Sequence, residues 1–162
     1  METAVRLDGI TKRFPGVVAN DDVDFEVEPG TVHALLGENG AGKTTLMNIL
    51  YGLYEPTSGR VEVDGVARDF DSPRDAIDAG IGMIHQHFML VEPMTVVENI
   101  TLGNEPRKWG GLAVDRAAAR AAVVDLAERY GFGVDPDARI EDVSVGEQQR
   151  VEILKALYRG AD

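Results

Sequence analysis

A glycine-rich stretch at residues 37–44 has the composition and spacing needed to hold phosphate groups. It reads GENGAGKT and fits the pattern G-x-x-x-x-G-K-[ST] at every fixed position. Glycines let successive backbone N–H groups turn toward an anion, because no side chain stands in the way. Lys43 can reach the outer phosphates as a mobile cation, and the Thr44 hydroxyl can bind Mg²⁺. The stretch therefore predicts a binding loop for a nucleotide.

The segments on either side of this loop are the ones that must position it. Residues 31–36 form a short apolar run, which predicts a buried strand. Beyond the loop, leucine and isoleucine recur at helical spacing from residue 46 to residue 53, and Pro56 closes the segment. The first turn of that helix would offer unpaired N–H groups and the positive end of its dipole to a phosphate. The alternative is a glycine-rich turn that only joins a strand to a helix.

A second polar residue follows a second apolar run. Residues 81–85 predict another buried strand, and Gln86 comes directly after it. Ligands of open α/β sheets lie just past the carboxyl ends of strands, so Gln86 is a candidate for contact with Mg²⁺ or with a water beside the γ-phosphate. His85 and His87 flank it, and we interpret them as packing or surface residues.

Two Asp-Gly pairs, at residues 8–9 and 64–65, predict turns of a small antiparallel sheet. The first pair interrupts the alternation of apolar and polar residues over 4–14. We expect this sheet to wrap around the strand that leads into the glycine-rich loop. Phe14, at the end of the alternating stretch, is either a core residue or an exposed ring on which an adenine could stack.

Several later helices are marked by capping residues. The residues that precede stretches of helical spacing are Ser72, Thr95, Asp115 and Ser144. Thr95 and Ser144 also have a glutamate three residues later, which completes a capping box. Asp125 follows an apolar run, but the spacing around it is helical, so it is interpreted as a surface carboxylate and not as a Mg²⁺ ligand.

The composition bounds the class of protein. There are 28 acidic and 16 basic residues, a net charge of −12, which argues against nucleic acid as a partner. The chain has no cysteine, which excludes disulfides and thiolate metal sites within it. The N-terminus lacks the layout of an export signal, and no apolar run approaches the ~20 residues that span a bilayer. An acidic solvated exterior and an adaptation to high salt are both compatible with this charge.

Taken together, these segments resemble the ATP-binding subunits of ABC transporters over essentially the whole chain. GENGAGKTTL at 37–46 matches the nucleotide loop of that family, and Gln86 resembles its Q-loop glutamine. SVGEQQR at 144–150 resembles the family signature, which is usually written LSGGQ-x-x-R. Phe14 stands where the family has an adenine-stacking aromatic residue.

The signature departs from the family pattern at Val143, Val145 and Glu147. Ser144 and Gly146 remain, and the resemblance implies that their hydroxyl and N–H groups contact a γ-phosphate. This contact would be made in trans, to ATP held by a second cassette.

The resemblance implies an α/β fold of the P-loop NTPase type. It would combine an antiparallel β subdomain, parallel core strands and a helical subdomain. Residues 1–162 would be the N-terminal part of one ATP-binding domain, with the β subdomain and P-loop over about 1–85, the Q-loop and helical subdomain over about 86–143, and the signature helix over 144–160. The Walker B strand, D-loop and switch histidine would lie beyond Asp162. A fragment of this kind is expected to hydrolyse almost no ATP.

The same resemblance implies ATP and Mg²⁺ as ligands. Lys43 and Gln86 would act in catalysis, and Thr44 and Gln86 would contact Mg²⁺. The residues expected to bind the nucleotide from the same chain are Phe14, Gly37, Asn39, Gly40, Ala41, Gly42, Lys43, Thr44 and Thr45.

The sequences of these motifs are similar to those of bacterial and archaeal importers of simple sugars or nucleosides, in which two cassettes are commonly fused. The expected partners are a second cassette and membrane permease subunits, with no nucleic acid, and the expected location is the cytoplasmic face of the membrane. Residues 88–95, with Met89 and Met94, would either meet the permease or pack inside the helical arm. The alternatives are a soluble ABC ATPase without a transport role and a module that senses nucleotide.

Overall fold

The computed structural model describes residues 3–85 and 88–161. The chain divides into two compact units, Met1–Ile81 and Gly82–Asp162. Within the described ranges, the helices and strands of each unit enclose a hydrophobic core of their own.

The first unit contains a four-stranded antiparallel sheet with strand order β2-β1-β3-β4. Its strands are β1 Val5–Phe14, β2 Val17–Val27, β3 Ser58–Val63 and β4 Val66–Arg68. Two helices accompany the sheet, α1 Lys43–Leu50 and α2 Pro73–Asp78. The core contains apolar residues from both kinds of element: Leu7, Ile10, Leu46, Ile49, Val61, Val63, Phe70 and Ala76. The predicted antiparallel sheet is therefore confirmed.

The Asp-Gly pair at residues 64–65 forms the predicted turn between β3 and β4. Asp64 and Gly65 both have positive φ, 50° and 72°, as a two-residue hairpin turn with matching twist requires. Val63 and Val66 are paired in the strand register directly across this turn.

The prediction of a turn at residues 8–9 is wrong. β1 runs through this position without reversing, and its register to both neighbours shifts there. Gly9 has φ +58° and forms a bulge, and its N–H donates to Asp24 Oδ1 at 2.8 Å. A Cβ on Gly59 of β3 would lie 2.5 Å from the carbonyl oxygen of Gly9, so the two backbones are in contact. The positive φ of Gly9 produces a bulge and not a turn, because β1 is paired with a strand on each side.

The predicted strand at 31–36 is also absent. These residues do not form a strand, and Val32 and Leu36 are 102% and 89% exposed. Leu35 alone packs against the core of the first unit. An apolar run becomes a buried strand only when neighbouring strands pair with it, and no strand in the described ranges does so.

The predicted strand at 81–85 is missing for the same reason. Ile81 donates its N–H to the carbonyl of Ala76 and closes α2, while Ile84 is 46% exposed. All strand pairs of the described residues are antiparallel, so the parallel core strands expected from the resemblance are not formed by them.

The second unit is mainly helical. Its helices are α3 Val96–Thr101, α4 Arg116–Tyr130 and α5 Val145–Tyr158, with a 3₁₀ turn at Ile140–Asp142. A short hairpin joins β5 Arg107–Lys108 to β6 Ala113–Val114. The core lies between the three helices and the 3₁₀ turn, and consists of Val96, Val97, Ile100, Ala119, Val123, Ala127, Ile140, Val151 and Leu154.

The predicted helix caps are confirmed in this unit. Thr95 and Ser144 both form complete capping boxes, with Glu98 and Glu147 respectively. The Asp115 side chain accepts from Ala118 N and starts α4, which Gly131 ends with φ 68°. In the first unit, α1 stops at Leu50, earlier than the predicted spacing to residue 53, because Gly52 turns the chain with φ 74°. No helix of the described residues is both long enough and apolar enough to cross a membrane.

Candidate nucleotide-binding site

The glycine-rich loop is closed by the side chain of Lys43. Its Nζ donates to the carbonyl oxygens of Gly37 and Glu38, at 2.6 and 2.7 Å. Lys43 is also the first residue of α1, so one side chain joins the start of the loop to the start of the helix. The sequence spacing of six residues between Gly37 and Lys43 is what allows this ring to form.

Backbone conformation and crowding explain the glycine at position 42. Gly42 has φ +84°, and a Cβ there would lie 2.3 Å from the carbonyl oxygen of Ala19. Gly40 has nearly the same φ, +85°, but a Cβ on it would meet nothing within 4 Å. Both positions need the left-handed conformation that glycine adopts without strain. Only Gly42 also needs the space, because β2 passes directly against it.

Asn20 of β2 holds the loop from the side. Its Nδ2 donates to the carbonyl oxygen of Gly42 at 3.3 Å, and its side chain is buried. The Oδ1 of the same amide is buried with no hydrogen-bond partner among the described residues. A buried amide with one group unpaired contributes little to stability. Its contact with Gly42 therefore suggests that it positions the loop, and sequence reasoning missed it because nothing in the pattern of β2 distinguishes it.

The remaining loop residues lie around this ring. Asn39, Gly40, Ala41 and Thr44 are exposed, and Thr45 is half-buried in the first turn of α1. Ala41 N donates to the carbonyl of Glu38 and turns the loop back toward the helix. A cation and a helix start thus lie within one short exposed loop, which suits an anion with several phosphate groups.

Phe14 lies at the end of β1, where the chain turns into β2. It is 37% exposed and belongs to no core cluster of the described residues, so the core alternative is wrong. Its ring meets Tyr54 edge-on at 5.5 Å between centroids, and Lys12 Nζ lies 5.2 Å from the Phe14 centroid. Lys12 is paired with Asn20 across the two strands, so Phe14 lies about 7 Å further along β1 from the loop contact. Tyr54 and Lys12 were not identified from the sequence.

The predicted signature residues lie at the start of α5. Ser144 Oγ donates to Glu147 Oε2 at 2.7 Å, and the N–H of Ser144 donates to the same oxygen at 2.9 Å. These two hydrogen bonds lower the pKa of the Glu147 carboxyl below its usual value, and the bond from the Ser144 hydroxyl has the larger effect. Gly146 is exposed, and a Cβ on it would meet nothing within 4 Å. The described part of the chain therefore gives no steric reason for a glycine at this position.

Four further predicted positions have simple outcomes. Gln86 and His87 lie outside the described residues, and His85 is half-buried. Asp125 is exposed and pairs with Arg129 along α4, as expected of a surface carboxylate.

A lysine-closed glycine loop at the head of a helix, beside an antiparallel sheet, is the arrangement expected of a phosphate-binding cassette. The chain belongs to the ABC transporter family, whose model matches residues 20–162.

Relatives with assigned names cover the whole chain. It is 58% identical to the nucleoside import ATP-binding protein NupA of Lactococcus lactis, over 99% of this chain and 31% of that protein. It is 55% identical to the guanosine import ATP-binding protein NupO of Bacillus subtilis, over 100% of this chain and 31% of that protein. It is 48% identical to the glucose import ATP-binding protein TsgD13 of Haloferax volcanii, over 99% of this chain and 34% of that protein. The chain thus spans about a third of the length of these proteins.

Solved structures share the fold. The ADP conformation of MJ1267, an ATP-binding cassette of an ABC transporter, matches 99% of this chain and 66% of that one, with a TM-score of 0.83 and 26% identity. The dimeric structure of MJ0796, a bacterial ABC transporter cassette, matches 97% and 70%, with a TM-score of 0.73 and 26% identity. The fold class of an ABC ATP-binding cassette, incomplete in its parallel strands, is thereby established.

Proposed function

We propose that this chain is the ATP-binding part of an importer, which couples ATP binding and hydrolysis to the uptake of a small solute through a membrane permease. The observation that carries the proposal is the Lys43 ammonium at 2.6 and 2.7 Å from two carbonyls of the glycine loop. In this position the ammonium can exchange those carbonyls for phosphate oxygens without a change in the fold. Family membership supports ATP as the nucleotide.

ATP would be held by the same residues that form the loop and its surroundings. Lys43 and the loop amides of residues 37–45 would contact the phosphates, and Phe14 would stack on the adenine. Thr44, which is an exposed residue, and Gln86 would hold Mg²⁺, which neutralises phosphate charge when bound. The exposed ring of Phe14 and the exposed loop support this arrangement.

A second cassette would complete the site. Ser144 and Gly146 would contact the γ-phosphate of ATP held by the partner cassette. The exposed start of α5 and the glycine with no steric role inside the described chain support this trans contact. The dimeric structure of a related cassette supports pairing in the family.

The solute would be a nucleoside or a simple sugar. Two of the three relatives described above are named for nucleoside or guanosine import and one for glucose import, and the identity is higher for the first two. We therefore propose nucleosides as the first solutes to test. The protein would lie on the cytoplasmic face of the membrane, bound to its permease, with residues 88–95 at the contact.

The variant Lys43→Ala tests the loop in the full-length protein. Removing two charge-assisted hydrogen-bond donors, each worth about 1.5–3 kcal/mol, should weaken ATP binding at least about tenfold. Lys108→Ala is the matched control, because it removes the same charge from an exposed side chain that lies over the Trp109 ring. Titration calorimetry with MgATP gives the dissociation constants. Equal affinity of Lys43→Ala and the unaltered protein would exclude the loop as the phosphate site.

Transport is tested separately by reconstituting the full-length protein with its permease in proteoliposomes. We expect ATP-dependent uptake of radiolabelled nucleosides, and we expect Lys43→Ala to abolish it. Uptake of ribose or glucose alone would reassign the solute class. If the full-length protein hydrolyses ATP but co-purifies with no membrane protein, the alternative of a soluble ABC ATPase without a transport role is favoured.

A further inference from the structure

The middle of α5 holds the main chain of Met89 from both sides. The N–H of Met89 donates to Glu152 Oε1 at 2.8 Å, and Lys155 Nζ donates to the carbonyl oxygen of Met89 at 2.7 Å. Both polar groups of a single peptide residue are thus bound by two charged side chains that lie one helical turn apart.

These two side chains are buried, so their charges lower the stability of the fold unless they bind other polar groups. The side chains of Glu152 and Lys155 are 5% and 11% exposed, and they approach each other only to 3.7 Å. Both charges lie closer to the main chain of Met89 than to each other. Replacing a buried ion pair by apolar side chains is often neutral or stabilising. The arrangement therefore suits the fixing of a backbone better than it suits the stability of the helix.

The side chain of Met89 is left free by this arrangement. It is 64% exposed, although its backbone is held by two buried groups. Leu90 packs against the core of the second unit, and Asn99 of α3 bonds both the N–H and the carbonyl of Val91. A flexible apolar side chain is thus presented to solvent from a fixed backbone.

The helix that holds Met89 is the one that begins at Ser144. Glu152 lies eight residues after Ser144, about 12 Å along the axis of α5. We infer that Glu152 and Lys155 are positioning residues that couple the 88–95 segment to the start of α5, so that a load on Met89 is transmitted to Ser144 and Gly146. This inference rests on the proposed function, in which the permease contacts the segment and the partner's γ-phosphate contacts the helix start.

The first experiment uses the full-length protein reconstituted with its permease. The double variant Glu152→Met with Lys155→Met removes both bonds to Met89 and keeps the buried volume. We expect solute uptake per ATP hydrolysed to fall about fivefold or more, within the usual range of coupling between sites. The dissociation constant of MgATP should stay unchanged, whereas the thermal midpoint should fall slightly, because the N–H and the carbonyl of Met89 lose their partners. Glu152→Gln is the conservative control, because its amide oxygen can still accept from Met89 N, and it should retain most of the coupling.

Two outcomes would overturn the inference. If uptake, ATP hydrolysis and the thermal midpoint fall together, the pair only stabilises the fold. If uptake per ATP is unchanged in the double variant, the pair does not couple the two places.

A second measurement separates this inference from the proposed function. Spin labels at Met89→Cys and Gln149→Cys, both exposed positions, report the distance between the segment and α5 in the full-length protein by pulsed electron paramagnetic resonance. We expect a narrow distance distribution that broadens in the double methionine variant. If the unaltered complex takes up no solute but the distribution still broadens, the transport proposal fails and the positioning role stands. An identical distribution in both proteins would contradict the positioning role.

Discussion

At the scale of single residues, the nucleotide loop contains two glycines whose backbones are alike and whose surroundings differ. A side chain at either position must adopt a left-handed backbone, which costs roughly 1–2 kcal/mol. At Gly42 the new Cβ would also collide with the Ala19 carbonyl at 2.3 Å, whereas at Gly40 it meets nothing.

We expect Gly40→Ala to lower the free energy of unfolding by about 1–2 kcal/mol, and Gly42→Ala to lower it by at least about 1 kcal/mol more, because overpacking adds to the backbone strain. Urea denaturation of the two variants measures the difference directly. Equal losses would mean that β2 moves away from the loop without cost.

Gly146 offers the opposite test, because the described chain gives no steric reason to keep it. Alanine has a helix propensity up to about 1 kcal/mol better than glycine. Gly146→Ala should therefore leave stability unchanged or raise it by a few tenths of a kcal/mol to about 1 kcal/mol. If Gly146 contacts a phosphate on a second cassette, the same variant should weaken ATP-driven pairing.

Sedimentation velocity in the presence of ATP and thermal unfolding measure these two quantities for Gly146→Ala. Ala156→Gly, in the last turns of the same helix, is the reverse control and should lower stability. Normal pairing by a stabilised Gly146→Ala protein would argue against the trans contact.

At the scale of elements, the start of α5 depends on a carboxylate that also titrates. The folded-state pKa of Glu147 is lowered, so its stabilising effect is complete above the ordinary glutamate value of about 4.3 and is lost as the pH falls through the folded-state value. We expect Glu147→Gln to destabilise the protein at pH 7 and to have a smaller effect near pH 3. Denaturation midpoints of the two proteins at both pH values give the comparison. A gap that does not narrow in acid would mean that the charge of Glu147 is not what stabilises the cap.

Helix starts and the loop could be predicted from the sequence because their determinants are local. Thr95 with Glu98, and Ser144 with Glu147, each satisfy a helix N-terminus within four residues of chain. The closing contact of Lys43 depends in the same way on a six-residue spacing.

Strands at 31–36 and 81–85 could not be predicted in this way, since a strand needs a partner that the run itself does not identify. The turn at residues 8–9 failed for a related reason. Gly9 supplied the positive φ, but whether it formed a turn or a bulge was decided by strands paired on both sides of β1. The contact between Met89 and the Glu152–Lys155 pair joins residues more than sixty positions apart, and no local pattern marks it.

At the scale of the whole molecule, the excess of acidic groups should make stability depend on salt. The chain carries a net charge of −12 on 162 residues. Folding brings these charges closer together and so increases the electrostatic repulsion between them. The screening length falls from about 30 Å at 0.01 M salt to about 3 Å at 1 M. We therefore expect the thermal midpoint to rise between these two concentrations of potassium chloride.

A neutral osmolyte at equal osmolality is the control for that series, because it changes hydration without screening charge. A midpoint that rises equally in both series would assign the effect to hydration. A midpoint that does not rise with potassium chloride would show that the acidic groups are already far enough apart.

The close approach of Gly59 to the carbonyl of Gly9 restricts how the first unit can assemble. If β3 slipped by one residue against β1, Ser58 or Arg60 would bring a side chain to a point where only a hydrogen atom fits. A sheet misaligned in this way would therefore contain a steric collision between β1 and β3. Gly9 and Gly59, which are fifty positions apart, thus favour a single register between β1 and β3.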